Sequence, residues 1–110
     1  MPEITDDFKL GYAIGIIVGA GSFTGDWRQP ALQVKLHARD YAVLKSLQEL
    51  FGGKIYGPYT HGERYYCLWL LRGQELKESV TTFLRYIPAS YKREQFDEWL
   101  GKYSSRLISE

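Results

Sequence analysis

From Phe8 to Ala20 the chain is apolar at almost every position; Lys9 and three glycines are the only interruptions among Phe8, Leu10, Tyr12, Ala13, Ile14, Ile16, Ile17, Val18 and Ala20. Thr5, Asp6 and Asp7 suit an N-cap and a first turn. The run therefore predicts a helix over 8–20, apolar all round and so buried, ended by Gly21. Ser22 to Gly25 predicts a short strand, and Asp26 to Pro30 a polar turn that carries Trp27. Leu32, Val34 and Leu36 then alternate with Gln33, Lys35 and His37, the pattern of a strand buried on one face. Tyr41, Leu44, Leu47, Gln48 and Phe51 return at helical spacing, which predicts a helix over 39–51 stopped by Gly52-Gly53. Lys54 to Tyr59 and Arg64 to Leu70 predict a hairpin rich in β-formers, with its turn at Thr60-His61-Gly62. A third helix is expected over 74–86, broken by Pro88. A fourth, over 91–107, is spaced by Phe96, Leu100 and Tyr103. The order is α-β-β-α-β-β-α-α, an α+β chain. It shows no repeat, linker or low-complexity tract, so residues 1–110 read as one domain.

Gly11, Gly15 and Gly19 lie four residues apart on one stripe of the first helix. Each costs about 1 kcal/mol relative to alanine in a helix interior. The usual compensation is close backbone approach, in which missing side chains let two helices nearly touch. Such a helix forms a seam between two copies of one fold and carries its C-terminal end to the middle of that seam.

Composition narrows the class without naming a partner. With 45% hydrophobic and 25% charged residues, the chain is globular rather than disordered. A formal net charge of +1 gives no argument for nucleic acid, so any basic face must be a local asymmetry. The one cysteine, Cys67, excludes an internal disulfide and a multi-cysteine metal site, and its strand context reads as a buried thiol. The start, MPEITDD, is acidic where a signal peptide would be basic. The apolar run that follows is shorter than the ~20 residues that span a bilayer. The expectation is a cytoplasmic protein with no membrane partner.

The element order and a first helix ending in Gly21-Ser22-Phe23 resemble the LAGLIDADG homing endonucleases. The nonapeptide falls on Ala13-Ile14-Gly15-Ile16-Ile17-Val18-Gly19-Ala20-Gly21. Family-like phrases follow in order: Leu32 to Gly53, Ile55 to Tyr59, and Tyr91-Lys92-Arg93-Glu94-Gln95-Phe96. The resemblance covers nearly the whole chain. It implies the αββαββα(α) fold, with a four-stranded antiparallel saddle lying on DNA and helices behind it. With one motif copy, it implies a homodimer on a palindromic or near-palindromic duplex, its seam made by Gly11, Gly15 and Gly19 and used isologously.

The resemblance also implies magnesium-dependent phosphodiester hydrolysis, with an acid before the motif's last glycine binding the metal. A metal would activate water and offset charge on the leaving oxygen. Magnesium takes oxygen ligands, often one or two carboxylates. Here that position is Ala20, and the motif's other acidic position is Val18. The nearest acids in sequence are Asp26, Asp6 and Asp7, none placed to replace the ligand. Gly19 could offer only a backbone carbonyl. Lys92 matches the family's basic residue at the start of the last helix, which helps organise water and phosphate, and reads equally as a solvated lysine. Cleavage is thus expected to be disabled in this form, through either natural loss or a replaced acid.

For reading DNA, the outward row Gln33, Lys35 and His37 suits base edges and phosphates, and a two-stranded ribbon fits the major groove. Thr24, Asp26, Arg28 and Gln29 lie where the family's recognition loop sits. In the hairpin Lys54, Tyr56, Tyr59, Arg64 and Tyr66 are expected outward, with Ile55, Tyr65, Cys67 and Trp69 inward; a one-residue slip would invert the face. Trp27 is expected to pack against the loop, and His61 to be a turn residue. The alternative to a nuclease of the homing type is a non-cleaving relative, acting as an intron RNA maturase or a DNA-binding regulator.

Overall fold

The computed structural model describes residues 5–108. Helix α1 spans Asp6–Ala20, β1 Gly21–Gly25 and β2 Pro30–His37, and a single 3-10 turn over Ala38–Asp40 leads into α2, Tyr41–Phe51. The second hairpin is β3, Lys54–His61, and β4, Arg64–Arg72, followed by α3 over Gly73–Tyr86, α4 over Tyr91–Lys102 and a short α5 over Ser104–Leu107. The four strands form one antiparallel sheet in the order β1-β2-β4-β3. This is the expected α+β fold, with the helices covering one face of the sheet. No described helix is long and apolar enough to cross a membrane.

The covered face holds the core. Leu32, Val34, Cys67, Trp69 and Leu71 from the central strands meet Ile14 and Ile17 of α1, Leu44 and Leu47 of α2, Val80 and Phe83 of α3, and Phe96 and Trp99 of α4. An aromatic cluster ties the edge strand β1 to this layer: the Phe23 ring lies 5.0 Å from both Phe96 and Trp99. The Trp99 indole N–H donates to the Thr24 carbonyl at 2.7 Å, and the Tyr103 hydroxyl donates to the Asp26 carbonyl. At the far side the Trp69 indole N–H donates to the Gly52 carbonyl at 2.9 Å, where Gly52 and Gly53 both take positive φ. Buried indoles keep such partners because an unpaired N–H would cost a full desolvation penalty.

Several boundaries differ from the expectation, for local reasons. Helix α1 starts at Asp6 because the Thr5 hydroxyl accepts from the Phe8 amide, making Thr5 the N-cap. It is not buried all round: only Ala13, Ile14 and Ile17 are, and the glycine stripe faces outward. Gly21 has φ −79, so it does not end the helix by a left-handed turn. It is required by space, since a Cβ there would lie 2.7 Å from the Ile17 carbonyl oxygen. The second hairpin turns at Gly62-Glu63, and β3 runs on to His61, paired with Arg64. Gly62 has φ +63 at the first turn position, as a type II′ turn needs. The last helical stretch divides at Tyr103, whose backbone leaves the helical region between α4 and α5.

Candidate nucleic-acid interface

Pairing register assigns the uncovered face of the sheet residue by residue, because directly paired residues of an antiparallel ladder point to the same side. Ser22 pairs with Gln33, Gln33 with Leu70, and Leu70 with Lys54. The next rung is Lys35–Leu68–Tyr56, and the next His37–Tyr66–Tyr59. Thr24–Ala31–Arg72 and His61–Arg64 complete the face. Tyr59 is expected outward with Tyr56, although strict alternation over three positions would turn it away. The register shifts between them at Gly57-Pro58, and this bulge returns Tyr59 to the face beside Tyr66, ring centroids 5.5 Å apart. The Lys35 ammonium sits over the Tyr66 ring at 4.3 Å. Tyr65, expected inward, pairs with Thr60 beyond the cover of the helices and is 54% exposed.

The charge of this face is one-sided. Among the described residues no Asp or Glu lies in a strand, whereas the face carries Lys35, Lys54, Arg64 and Arg72 with two histidines. A chain with net charge +1 thus keeps its described acids on helices and loops. The resulting local field suits a polyanion.

At the β1–β2 end, Asp26 has a different job from base contact. Its Oδ1 accepts from the Arg28 amide at 2.8 Å and the Gln29 amide at 2.6 Å. These bonds, chiefly the one from Arg28 and then that from Gln29, hold the carboxyl below its ordinary value of 3.8. Asp26 shapes the turn that presents Arg28 and Gln29. Trp27 does not pack against the loop: it is 77% exposed, with the Arg28 guanidinium 3.9 Å above its ring. His61 is a strand residue on the charged face rather than a turn residue.

Around the end of α1, Gly19 and Ala20 are exposed. Gly19 lies in the last turn, where carbonyls lack intrahelical donors. Lys92, half-buried at the start of α4, donates to the Gly21 carbonyl and, at 3.0 Å, to Gln95 Oε1. It therefore pins α4 to the helix–strand junction. Beside this junction an open cleft of about 550 Å³ runs between β1 and α4, lined among others by Ser22, Gln33, Gln95, Glu98 and Lys102. Glu98 is its one carboxylate. Sequence reasoning missed it, although Gln95, Glu98 and Lys102 at i, i+3 and i+7 form one helical stripe.

The donor set does not fit magnesium. Ala20 and Val18 supply no oxygen ligand, and among the described residues no group of three His, Cys, Asp or Glu could hold a metal. Two copies of the chain would bring two alanines, not two acids, to a common seam.

Gly11, Gly15 and Gly19 are outward on α1, and a Cβ at any of them would meet nothing within 4 Å. Phe8 and Tyr12 flank the stripe with stacked rings, 61% and 46% exposed. Grooves of about 440 and 590 Å³ run on either side, the first along Phe8, Tyr12 and Leu50, the second along Gly11, Gly15, Val18 and Tyr86.

A glycine-striped helix delivering its end to the rim of a basic antiparallel sheet defines the class of fold: a four-stranded saddle with helices on one face and the other face uncovered. The chain has the fold of the LAGLIDADG homing endonucleases. It is similar to the homing endonuclease I-TnaI, with 23% identity and a TM-score of 0.64 over 82% of this chain and 67% of that one. The group I intron-encoded homing endonuclease I-CeuI, complexed with DNA, gives 18% identity and a TM-score of 0.70 over 92% of this chain and 56% of that one. For the LAGLIDADG homing endonuclease I-SmaMI bound to cleaved DNA the values are 19% and 0.68, over 91% of this chain and 38% of that one. The chain thus spans well under half the length of I-SmaMI. No family model and no curated protein matches it.

Proposed function

We propose that the chain binds double-stranded DNA sequence-specifically as a C2 homodimer on a homing-endonuclease scaffold, and that with Ala20 it does not cleave. The observation that carries the reading is the outward sheet face, which has four cationic side chains and no carboxylate on any strand. A two-stranded ribbon enters the major groove. There Gln33 and Lys35 are matched to adenine and guanine edges, while Lys54, Arg64 and Arg72 meet phosphates. The dimer is supported by the outward glycine stripe. Lys92 positions the helix–strand junction under the DNA backbone, with one ammonium proton beyond its two bonds.

Selection of bound duplexes from a random pool, followed by cleavage assays with magnesium, tests this. A palindromic or near-palindromic site, left intact by this chain and cut by Ala20→Glu or Ala20→Asp, is the expected result. Binding without cleavage by either variant would remove the nuclease half of the reading. Absence of salt-dependent duplex binding would remove all of it.

A second reading, an intron RNA maturase, is favoured by one feature: the Tyr59–Tyr66 pair under Lys35 is a surface on which splayed bases can stack. Tighter binding to structured RNA than to any selected duplex would establish it instead.

A further inference from the structure

The outward face has an apolar centre that a purely polar DNA-reading surface would not need. Residues 67–71 of β4, Cys-Leu-Trp-Leu-Leu, are apolar without alternation. Cys67, Trp69 and Leu71 fill the core, but Leu68 and Leu70 point to the other side, half-buried among the charged residues. β4 is a central strand, so these leucines lie mid-face. Leu70 stands directly between Gln33 and Lys54, and Leu68 between Lys35 and Tyr56.

Resting on the duplex-binding reading above, we infer that Leu68 and Leu70 are thymine-methyl contacts that bias the centre of each half-site towards A·T pairs. In the major groove thymine alone carries an exposed C5-methyl, and apolar side chains discriminate it by contact. The A·T pair shows that methyl beside the N6/N7 edge that glutamine pairs with. The Gln33–Leu70 rung presents both partners side by side, an amide for adenine and a methyl-lined surface for the thymine opposite it. Outward residues on one strand repeat at about 6.7 Å, and base pairs stack at about 3.4 Å. Leu68 therefore meets the pair about two steps from the one facing Leu70. Charge complementarity selects a nucleic acid as occupant, because an apolar protein surface would have to desolvate the surrounding Lys35, Lys54, Arg64 and Arg72 without anionic partners.

The test uses the intact chain and duplexes selected from a random pool, each then resynthesised with deoxyuridine for thymine at single positions. Deoxyuridine pairs identically and lacks only the methyl. Selected half-sites should show A·T or T·A at two positions two steps apart. Uridine at either should weaken binding about fourfold, the worth of one buried methyl, and uridine elsewhere should change little. Leu70→Ser, which has no methyl to offer the thymine, should abolish the loss at the first position and leave that at the second, with a melting curve showing that the variant is folded. Equal binding of thymine and uridine duplexes at every position would overturn the inference and leave duplex binding standing. No duplex binding at all would overturn both.

Discussion

Gly15→Ala tests the proposed seam, because its effects on the single chain and on a dimer should have opposite signs. Gly15 sits mid-way along α1, away from both frayed ends, and a Cβ there meets no atom within 4 Å. Within one chain the new methyl enters open space, and the helix gains about 1 kcal/mol of propensity. In the proposed seam the same methyl would meet the partner, and overpacking a close contact costs about 1–3 kcal/mol. Two-fold symmetry applies that cost twice, so association should weaken by roughly 2–6 kcal/mol, at least about thirtyfold in the dissociation constant. Sedimentation equilibrium measures the association. Urea unfolding, at concentrations where the variant is monomeric, measures the chain. The expected pair of results is a more stable chain that dimerises poorly. Unchanged or tighter dimerisation in a stabilised variant would refute the seam, and a destabilised monomer would refute the outward placement of the stripe.

Gly21→Ala should behave oppositely to Gly15→Ala. Its methyl would lie 2.7 Å from the Ile17 carbonyl oxygen, so the chain itself should lose about 1–3 kcal/mol in urea unfolding. Asp26 makes the β1–β2 turn sensitive to acid: its folded carboxyl titrates below 3.8, so its stabilisation is complete above that value and is lost as pH falls through the lower folded value. Fluorescence of the exposed Trp27 should report that loosening, and Asp26→Ala should abolish the transition. Replacing Lys54 or Arg64 by alanine should reduce the slope of log K against log salt by about 0.9 for each lost phosphate contact. A slope unmoved by either variant would place the duplex elsewhere.

Much of the architecture was legible from periodicity alone. Leu32, Val34 and Leu36 alternate so regularly with Gln33, Lys35 and His37 that both faces of β2 follow from pattern and pleat. The stops at Gly21 and Gly52-Gly53 were legible as punctuation, although Gly21 acts by closeness to Ile17 rather than by a left-handed φ. Less legible were positions where alternation fails. Tyr59 reaches the charged face only through the bulge at Gly57-Pro58, and the outward leucines of β4 are hidden in an unbroken apolar run. A lone sequence window cannot show which side of a pleat a residue takes once the register shifts.

The sequence by itself determined the element order, the glycine stripe, the absence of acids from the strands, and the alanine where a metal-binding acid would stand. Those are properties of residue identity and spacing, and local physics suffices to read them. Tertiary structure alone decided that the stripe faces outward, that Lys92 grips the Gly21 carbonyl across 71 residues of chain, and that Gln33, Leu70 and Lys54 share one rung. These facts depend on contacts between elements distant in sequence, which only the pairing of strands and the packing of helices on the sheet bring together.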